Sequence, residues 1–154
     1  MSQEAYNTPV PEYSVEVRRT IAADPQRVYD AWLTPPDWDS WFTNNSQIDA
    51  RVGGKYVNGD GDMGEYLELV PARIIRFSWE NEAACPGSEV LVKLTPTDDG
   101  TDVHLLHSRL PRPETGRGEM IDGWGWAIDN LAAYLEGRPT CDHDTWVARK
   151  YGGK

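Results

Sequence analysis

Two histidines lie close together in the segment HLLH, where an imidazole could act as a metal ligand or as an acid–base group. His104 and His107 are three residues apart, and in a β-strand an odd separation places two side chains on opposite faces of the sheet. The pair therefore cannot share a metal ion. Val103 and Leu105 share a face with His107, which predicts that this imidazole points into the interior. It could then be a general acid or base, a hydrogen-bond donor to a ligand, or a structural histidine satisfied by polar neighbours.

Carboxylates are the other candidates for acid–base chemistry. Glu68 lies in GEYLELV, where strand alternation places it on the face of Tyr66 and Val70. If that face is internal, burial favours the protonated carboxyl and suits it to general-acid catalysis, whereas an external Glu68 is an ordinary surface residue. Asp49 lies two residues before Arg51, so the two charges share a strand face and neutralise each other. We interpret this pair as structural, because a carboxylate bound to arginine is a poor proton donor.

Residues 59–64 read GDGDMG, which matches the G-x-G-x-x-G pattern of dinucleotide-binding loops. In those loops the glycines lead from a strand into a helix, whose N-terminal amides bind the pyrophosphate. Here the flanking segments GKYVN and EYLELV are both typical of strands, and Asp60 and Asp62 would repel a phosphate. The pattern therefore predicts a polar β-hairpin loop and no nucleotide cofactor.

The sequence CDHD at 141–144 contains metal-ligating residue types in one local run. A structural zinc site needs a second pair of ligands elsewhere in the chain, and the sequence offers none at the required spacing. The sequence also lacks the motifs of P-loop nucleotide binding, of serine nucleophiles and of zinc proteases. We therefore expect neither a metal nor a cofactor.

The composition is that of a single acidic domain. The chain has 154 residues and a formal net charge of −10, and a uniformly acidic surface disfavours nucleic acids and anionic membranes as partners. No apolar run approaches the roughly 20 residues of a membrane span, and the N-terminal residues lack the pattern of a signal peptide. Cys85 and Cys141 permit one disulfide at most, and we interpret them as free thiols of a cytoplasmic protein.

The elements that would position these residues begin near Tyr13. Residues 1–12 show no periodicity and predict a loose arm, whereas YSVEVRRTI alternates as a half-buried strand does. Asp24 can cap a first helix that has Pro25 at its first position, and this helix is expected to end at the proline pair 35–36. A second short helix is predicted over DWDSWF.

Residues 47–110 alternate as strands separated by turn residues, and their short connections predict antiparallel neighbours. The predicted strands are QIDARV, GKYVN, GEYLELV, RIIRFSWE, SEVLVKLT and TDVHLLHSRL. After a loop over 111–118, a long helix carries an apolar stripe and ends at Gly137. The stripe consists of Ile121, Trp124, Ile128, Leu131 and Leu135. Residues 138–154 show no periodicity and are predicted to be a weakly ordered tail.

This order of elements predicts an α+β fold, in which a seven-stranded antiparallel sheet wraps around the long C-terminal helix and the domain spans residues 13–137. The helix contains Gly123 and Gly125 on either side of Trp124, and each glycine costs about 1 kcal/mol relative to alanine in a helix interior. Close approach of the sheet, a kink beside a pocket, or a later helix start would each account for them.

The chain resembles the START-like superfamily, also called SRPBCC or helix-grip proteins, and within it the branch named as homologues of the activator of the ninety-kilodalton heat-shock chaperone ATPase. The similar segments are IAADPQRVYDAWLTPPDWDSWF, IDARVGGKY, GEYLELVPARIIRFSW, GTDVHLLHSRL and GWGWAIDNLAAYLEG. The resemblance implies a cavity between sheet and helix that holds apolar or amphipathic small molecules and, in some branches, catalyses cyclisation or dehydration. For other members it implies interaction with a chaperone and a link to the stress response.

For this chain we expect the cavity to bind a small apolar or aromatic molecule. The residues expected to line it are Trp41, Phe42, Tyr56, Tyr66, Phe77, Trp79, His107, Trp124 and Ile128. Two alternatives stay open: a cyclase- or lyase-like enzyme that uses His107 or Glu68, and an interaction module that stimulates a chaperone ATPase. The sequence also leaves open whether the interior is hollow or filled, and whether the protein is a monomer or a homodimer.

Overall fold

Seven antiparallel strands form a single sheet in the structure, a computed structural model that describes residues 13–81, 84–110 and 119–152. The strands are β1 (Tyr13–Ile21), β2 (Gln47–Ile48), β3 (Lys55–Val57), β4 (Asp62–Val70), β5 (Ile74–Asn81), β6 (Ala84–Thr97) and β7 (Gly100–Leu110). Their order across the sheet is β1-β7-β6-β5-β4-β3-β2, so consecutive strands from β2 to β7 are neighbours and β1 pairs with β7. The predicted α+β class and antiparallel sheet are confirmed.

Helices cover the inner face of this sheet. The described residues form α1 (Pro25–Leu33), α2 (Pro35–Trp41), α3 (Met120–Leu135) and α4 (His143–Lys150). The strands alternate buried and exposed residues while α1 and α3 each bury one side, so the two kinds of apolar surface meet in one core. The sheet therefore curves around the long helix α3, as the sequence predicts.

Prolines determine where the first two helices begin. Pro25 occupies the first helical turn of α1, as predicted, but the side chain of Asp24 makes no capping hydrogen bond. The proline pair 35–36 opens α2 as well as ending α1, because a proline in the first turn loses no helical hydrogen bond. The second helix therefore begins earlier than DWDSWF predicts, and it buries Trp38 and Trp41.

The GDGDMG motif lies in the hairpin between β3 and β4, as predicted. Gly61 has a φ of +90°, a conformation that glycine adopts without strain. The side-chain oxygen of Asn58 accepts hydrogen bonds from the backbone amides of Asp60 (2.9 Å) and Asp62 (3.1 Å), which closes the turn. Because a strand follows the motif, it lacks the helix N-terminus that a dinucleotide-binding loop requires.

The strand predicted over QIDARV is reduced to two residues, because the chain turns after Ile48. Arg51 donates through Nε to the carboxylate of Asp49 at 2.9 Å, so the predicted ion pair is confirmed, although it lies in an exposed turn and not on a strand. A side chain at Gly54 would collide with the backbone oxygen of Asp49, which explains the second glycine of this turn.

The structure corrects the prediction that residues 138–154 are weakly ordered. Residues 143–150 form α4, and the side chain of Asp142 caps this helix by accepting a hydrogen bond from the backbone amide of Thr145 at 2.7 Å. Asp142 therefore has a structural role within the CDHD run. Residues 153–154 lie outside the described part of the chain.

Polar contacts hold α4 against α3. The indole of Trp146 donates to Asp129 at 2.8 Å, and Lys150 binds the fully buried carboxylate of Asp122 at 2.7 Å. Hydrophobic periodicity does not register contacts of this kind, which is why the tail escaped prediction.

The two glycines of α3 have different structural causes. A Cβ atom on Gly125 would approach the indole of Trp146 to 2.8 Å, so this glycine makes room for α4. A Cβ atom on Gly123 would meet no atom within 4 Å. Gly123 instead leaves space open beside the N-terminal turns of α3.

Several predictions concern parts of the chain outside the described residues: the arm at 1–12, the loop at 111–118 and the side chain of Cys85. Cys141 is a free thiol. Within the described ranges, none of the helices has the length and apolar character needed to cross a membrane.

The same substitution at the two glycines should change stability in opposite directions. Gly123→Ala is expected to raise the free energy of unfolding by up to about 1 kcal/mol, because alanine is the better helix former and its methyl group meets no atom. Gly125→Ala improves helix propensity by the same amount, but its methyl group displaces Trp146 from α3. We therefore expect this variant to lower the free energy of unfolding. Urea denaturation of both variants measures the difference, and equal gains would contradict this packing of α4.

Candidate ligand-binding cleft

Aromatic side chains fill the space between the sheet and the helices. The indole of Trp32, on α1, has its ring centroid 4.9 Å from that of Trp41 and 6.3 Å from that of Phe77. It also lies 6.2 Å from Trp124 of α3. The void that this packing leaves measures about 10 Å³, which is room for no more than one water molecule. Among the described residues, the packing around Trp32 therefore leaves no space for a ligand.

The residues predicted to line a cavity fall into three groups. One group surrounds the small void: Tyr56, Tyr66 and Phe77. A second group is buried in the core and lines neither the void nor the larger cleft: Trp41, His107 and Ile128. The third group lines a cleft at the N-terminal end of α3: Phe42, Trp79 and Trp124.

This cleft has a volume of about 460 Å³, which is within the range of small-molecule sites. Five parts of the chain meet there: the segment after α2, the β3–β4 hairpin, the end of β5, the first turns of α3 and the start of α4. The lining residues are Phe42, Thr43, Asn44, Asp60, Asp62, Trp79, Met120, Gly123, Trp124, Trp126, Asp142 and His143. Most of them were not predicted, and those on loops and on the tail lie where periodicity gives no signal.

Aromatic rings form the walls of the cleft. Phe42 stacks on Trp124, with ring centroids 5.6 Å apart and 10° between the ring planes. The ring of Phe42 also lies 6.0 Å from Trp79 and 6.1 Å from Trp126. Trp126 donates through Nε1 to the backbone oxygen of Cys141 at 2.7 Å, which ties this wall to the tail. Trp126 escaped prediction because it lies off the apolar stripe of α3, on a side that becomes part of the cleft through the tail.

A buried chain of hydrogen bonds holds Trp79 and Trp124, whose ring centroids lie 5.3 Å apart as predicted from their faces. Trp124 donates through Nε1 to Nδ1 of His107 at 2.9 Å. Because an indole N–H can only donate, Nδ1 of His107 is the acceptor and Nε2 carries the proton. Nε2 then donates to the hydroxyl of Ser88 at 2.9 Å, and this hydroxyl donates to the backbone oxygen of Trp79 at 2.9 Å.

His107 is fully engaged in this chain. Its side chain is inaccessible to solvent, and burial lowers the pKa of the imidazole to about 4, so that it is neutral at pH 7. The prediction that the two histidines of HLLH face opposite ways is confirmed, since His104 pairs with Glu16 on the outer face. The geometry supports a structural role for His107, which positions the wall of the cleft.

Glu68 points to the outer face of the sheet, contrary to simple alternation. A β-bulge follows Tyr66 and inserts one extra residue into β4. Tyr66 pairs with Phe77 on the inner face, whereas the next pair is Glu68 with Arg76. The Glu68 carboxylate is half-exposed and lies 3.4 Å from Nε of Arg76. The expectation that Glu68 shares a face with Tyr66 is therefore wrong, and Glu68 and His107 lie on opposite faces of the sheet, where they cannot act together.

Two carboxylates of the β3–β4 hairpin lie at the cleft. Asp62 is only 7% exposed, and its oxygens accept hydrogen bonds from the side-chain amides of Asn81 (2.9 Å) and Asn58 (3.1 Å). Burial raises the pKa of Asp62, the two amide donors oppose the increase, and the charge of Asp60 adds to it. Asp60 accepts a hydrogen bond from the hydroxyl of Thr43 at 2.8 Å. The aspartates of GDGDMG were the available sequence signal, but nothing in it showed that one of them is buried.

The architecture defines the class of protein. A seven-stranded antiparallel sheet around a long C-terminal helix, with a helix pair after the first strand, is a helix-grip fold. The chain belongs to the family described as "Activator of Hsp90 ATPase homolog 1-like protein", whose model matches residues 22–136. The resemblance seen in the sequence is thereby confirmed.

Individual relatives are distant. "Activator of 90 kDa heat shock protein ATPase homolog 1" from Mus musculus is 25% identical over 118 residues, which are 75% of this chain and 34% of that protein. The chain thus spans about a third of the length of this relative. The crystal structure of CalU16 from Micromonospora echinospora is 25% identical with a TM-score of 0.70, over 91% of this chain and 83% of CalU16. DynU16, from the dynemicin biosynthetic locus, is 25% identical with a TM-score of 0.72, over 86% of this chain and 51% of DynU16.

The stability of the protein should contain a contribution from His107 that is lost as the pH falls. An unfolded histidine titrates near pH 6.5 and the folded His107 near pH 4, so between these values the unfolded chain binds the additional proton. Protonation therefore favours unfolding in this window. Below pH 4, the decrease in the free energy of unfolding that His107 causes approaches about 3 kcal/mol.

The variant His107→Gln separates this contribution from that of the carboxylates. Its free energy of unfolding, measured in urea at pH 7 and at pH 4.5, should fall less between the two values than that of the wild type. The same pH dependence in both proteins would show that His107 is not buried in its neutral form.

Proposed function

We propose that the protein binds a small, flat, apolar or aromatic molecule in the cleft at the N-terminal end of α3. The observation that carries the proposal is the cleft itself, with its volume of about 460 Å³ and with Phe42, Trp79 and Trp124 among its walls. A planar ligand gains binding free energy by burying its faces against such rings. Each aromatic pair contributes roughly 0.5–1.5 kcal/mol in addition to the effect of the buried apolar area.

The walls are held in position by contacts within the protein. Trp124 is bound to His107, and Trp126 to the backbone of the tail. Because the indole N–H groups of Trp124 and Trp126 already have acceptors, a ligand that covers these two rings leaves neither N–H unpaired. Positions fixed in advance also reduce the conformational entropy that binding must remove.

Gly123 adds support, because it keeps the floor of the cleft open. Any side chain at this position would extend into the empty space. The glycine lies within α3, where alanine would be more stable by about 1 kcal/mol, so the open space comes at a cost in helix stability.

The likeness to DynU16 supports a role with small molecules. DynU16 is a protein in a biosynthetic locus, and its fold matches 86% of this chain. Fold alone does not determine function, so the likeness only adds to what the cleft suggests.

Fluorescence titration with 1-pyrenemethanol, a neutral planar aromatic alcohol, tests the proposal. We expect saturable binding to the wild type and a loss of about tenfold or more in Gly123→Leu, whose side chain occupies the cleft. Gly123→Ala is the matched control, because it makes the same change of helix propensity with a single methyl group, and its affinity should stay close to that of the wild type. No saturable binding to the wild type, or unchanged binding in Gly123→Leu, would contradict the proposal.

Family membership favours a second candidate function. The mouse relative is named as an activator of the ATPase of a 90 kDa heat shock protein, and 118 of its residues align with this chain. On this alternative, the chain raises the rate of ATP hydrolysis by a chaperone of that type. Steady-state ATPase assays with increasing amounts of the protein should then show a rate that rises to a plateau, and a constant rate throughout the titration would dispose of this candidate.

A further inference from the structure

The charged side chains at the cleft are of one sign. Among its described lining residues there is no lysine or arginine, and the acidic ones are Asp60, Asp62 and Asp142. His143 is the one basic residue type in this set, and its Nδ1 lies 3.6 Å from the carboxylate of Asp144. An anionic ligand would therefore meet repulsion at the rim, whereas a cation would meet attraction.

Asp62 is the most unusual of these groups, because it is buried without a cation. Its two oxygens take hydrogen bonds only from the neutral amides of Asn81 and Asn58, and no ion pair with Asp62 occurs within the described ranges. Buried carboxylates are normally paired with a positive group, since amide donors satisfy the oxygens but do not neutralise the charge. A ligand cation could supply the missing charge.

Asp60 places a second carboxylate beside the first. Asn81 connects the two residues, because its side-chain amide donates to the carboxylate of Asp62 at 2.9 Å and lies 3.4 Å from the backbone oxygen of Asp60. The carboxylate of Asp60 is held by Thr43 (2.8 Å) and by Asn44 (3.4 Å), both on the segment that carries Phe42. These hydrogen bonds therefore connect the acidic rim to the segment that carries Phe42 of the aromatic wall.

The aromatic walls of the cleft also favour a cationic ligand. The faces of indole and phenyl rings attract cations, and tryptophan does so most strongly. In the described part of the chain, the arginine and lysine side chains that stack on rings do so on Tyr134, Trp146 and Tyr151, all away from the cleft. The rings of the cleft are thus not used by cations of the protein itself.

We infer that the ligand of this cleft is a cationic amphiphile, with a flat apolar or aromatic body between the rings and a protonated amine against Asp60 and Asp62. The inference rests on the proposed function and specifies its ligand class. Each part of such a ligand meets a matching surface: the body meets Phe42, Trp79 and Trp126, and the ammonium group meets the two carboxylates.

Three probes with the same ring system separate this inference from the function on which it rests. They are 1-pyrenemethylamine, which is a cation at pH 7, neutral 1-pyrenemethanol, and anionic 1-pyrenecarboxylic acid. We expect the amine to bind about tenfold more tightly than the alcohol and the acid to bind more weakly than both, with a preference for the amine that shrinks as salt is added. Failure of all three probes would remove the proposed function, whereas alcohol binding without a preference for the amine would overturn only the charge inference.

Matched variants locate the charge that is recognised. Asp62→Asn and Asp60→Asn should each reduce the ratio of amine to alcohol affinity. Asp60 is exposed, so its variant decides the question if Asp62→Asn fails to fold. Asp98→Asn makes the same change of net charge in the exposed turn between β6 and β7, at the opposite end of the sheet, and should keep the full preference. If Asp60→Asn and Asp98→Asn have the same ratio of amine to alcohol affinity, the net charge of the protein selects the cation and the cleft does not. That result would overturn the inference.

Discussion

One buried chain of hydrogen bonds, running from α3 into the sheet, determines the shape of the functional end of this protein. Its members are Trp124, His107, Ser88 and Trp79. They lie on α3, β7, β6 and β5, so the chain sets the distance between the helix and three adjacent strands. A donor left without a partner in this environment would cost about 1–3 kcal/mol, which makes alternative positions of the two indoles unfavourable. Burial lowers the pKa of His107, and the neutral imidazole that results is the form whose Nδ1 can accept the hydrogen bond from Trp124.

Close packing around Trp32 explains why the candidate site lies at the end of the helix. Trp32 contacts rings of α2, β5 and α3, and the void that it lines among the described residues measures about 10 Å³. Within the described residues, the indole N–H groups of Trp32 and Trp38 are buried without acceptors, whereas those of Trp124 and Trp126 are bonded. Packing alone holds the rings of Trp32 and Trp38, while directional bonds fix two rings of the cleft. Walls that are fixed in advance reduce the entropic cost of binding a ligand, whereas a core that holds no ligand has no such requirement.

Sequence periodicity was sufficient wherever a prediction depended only on which face is buried. Alternation placed Trp79 and His107 inside, helical spacing placed Trp124 opposite them, and the structure confirms that these residues meet. Periodicity failed at Glu68, because a bulge of one residue reverses the parity of everything beyond it. It also gave no sign that Asp62 is buried, since hairpin aspartates are normally solvated and periodicity does not register its two amide donors, Asn58 of the same hairpin and Asn81 of β5.

The tail shows why family resemblance does not determine this cleft. The family model matches the chain only to residue 136, yet Asp142 and His143 line the cleft from beyond that point. Two glycines of α3 serve this arrangement in different ways, since Gly125 admits the ring of Trp146 and Gly123 keeps the floor open. At both positions glycine is less favourable for the helix than alanine. Gly125 allows the tail to pack against α3, and Gly123 leaves space in the cleft. The cleft is therefore built jointly by the part of the chain that the family model matches and by the segment that follows it, so its ligand preference has to be measured on this protein.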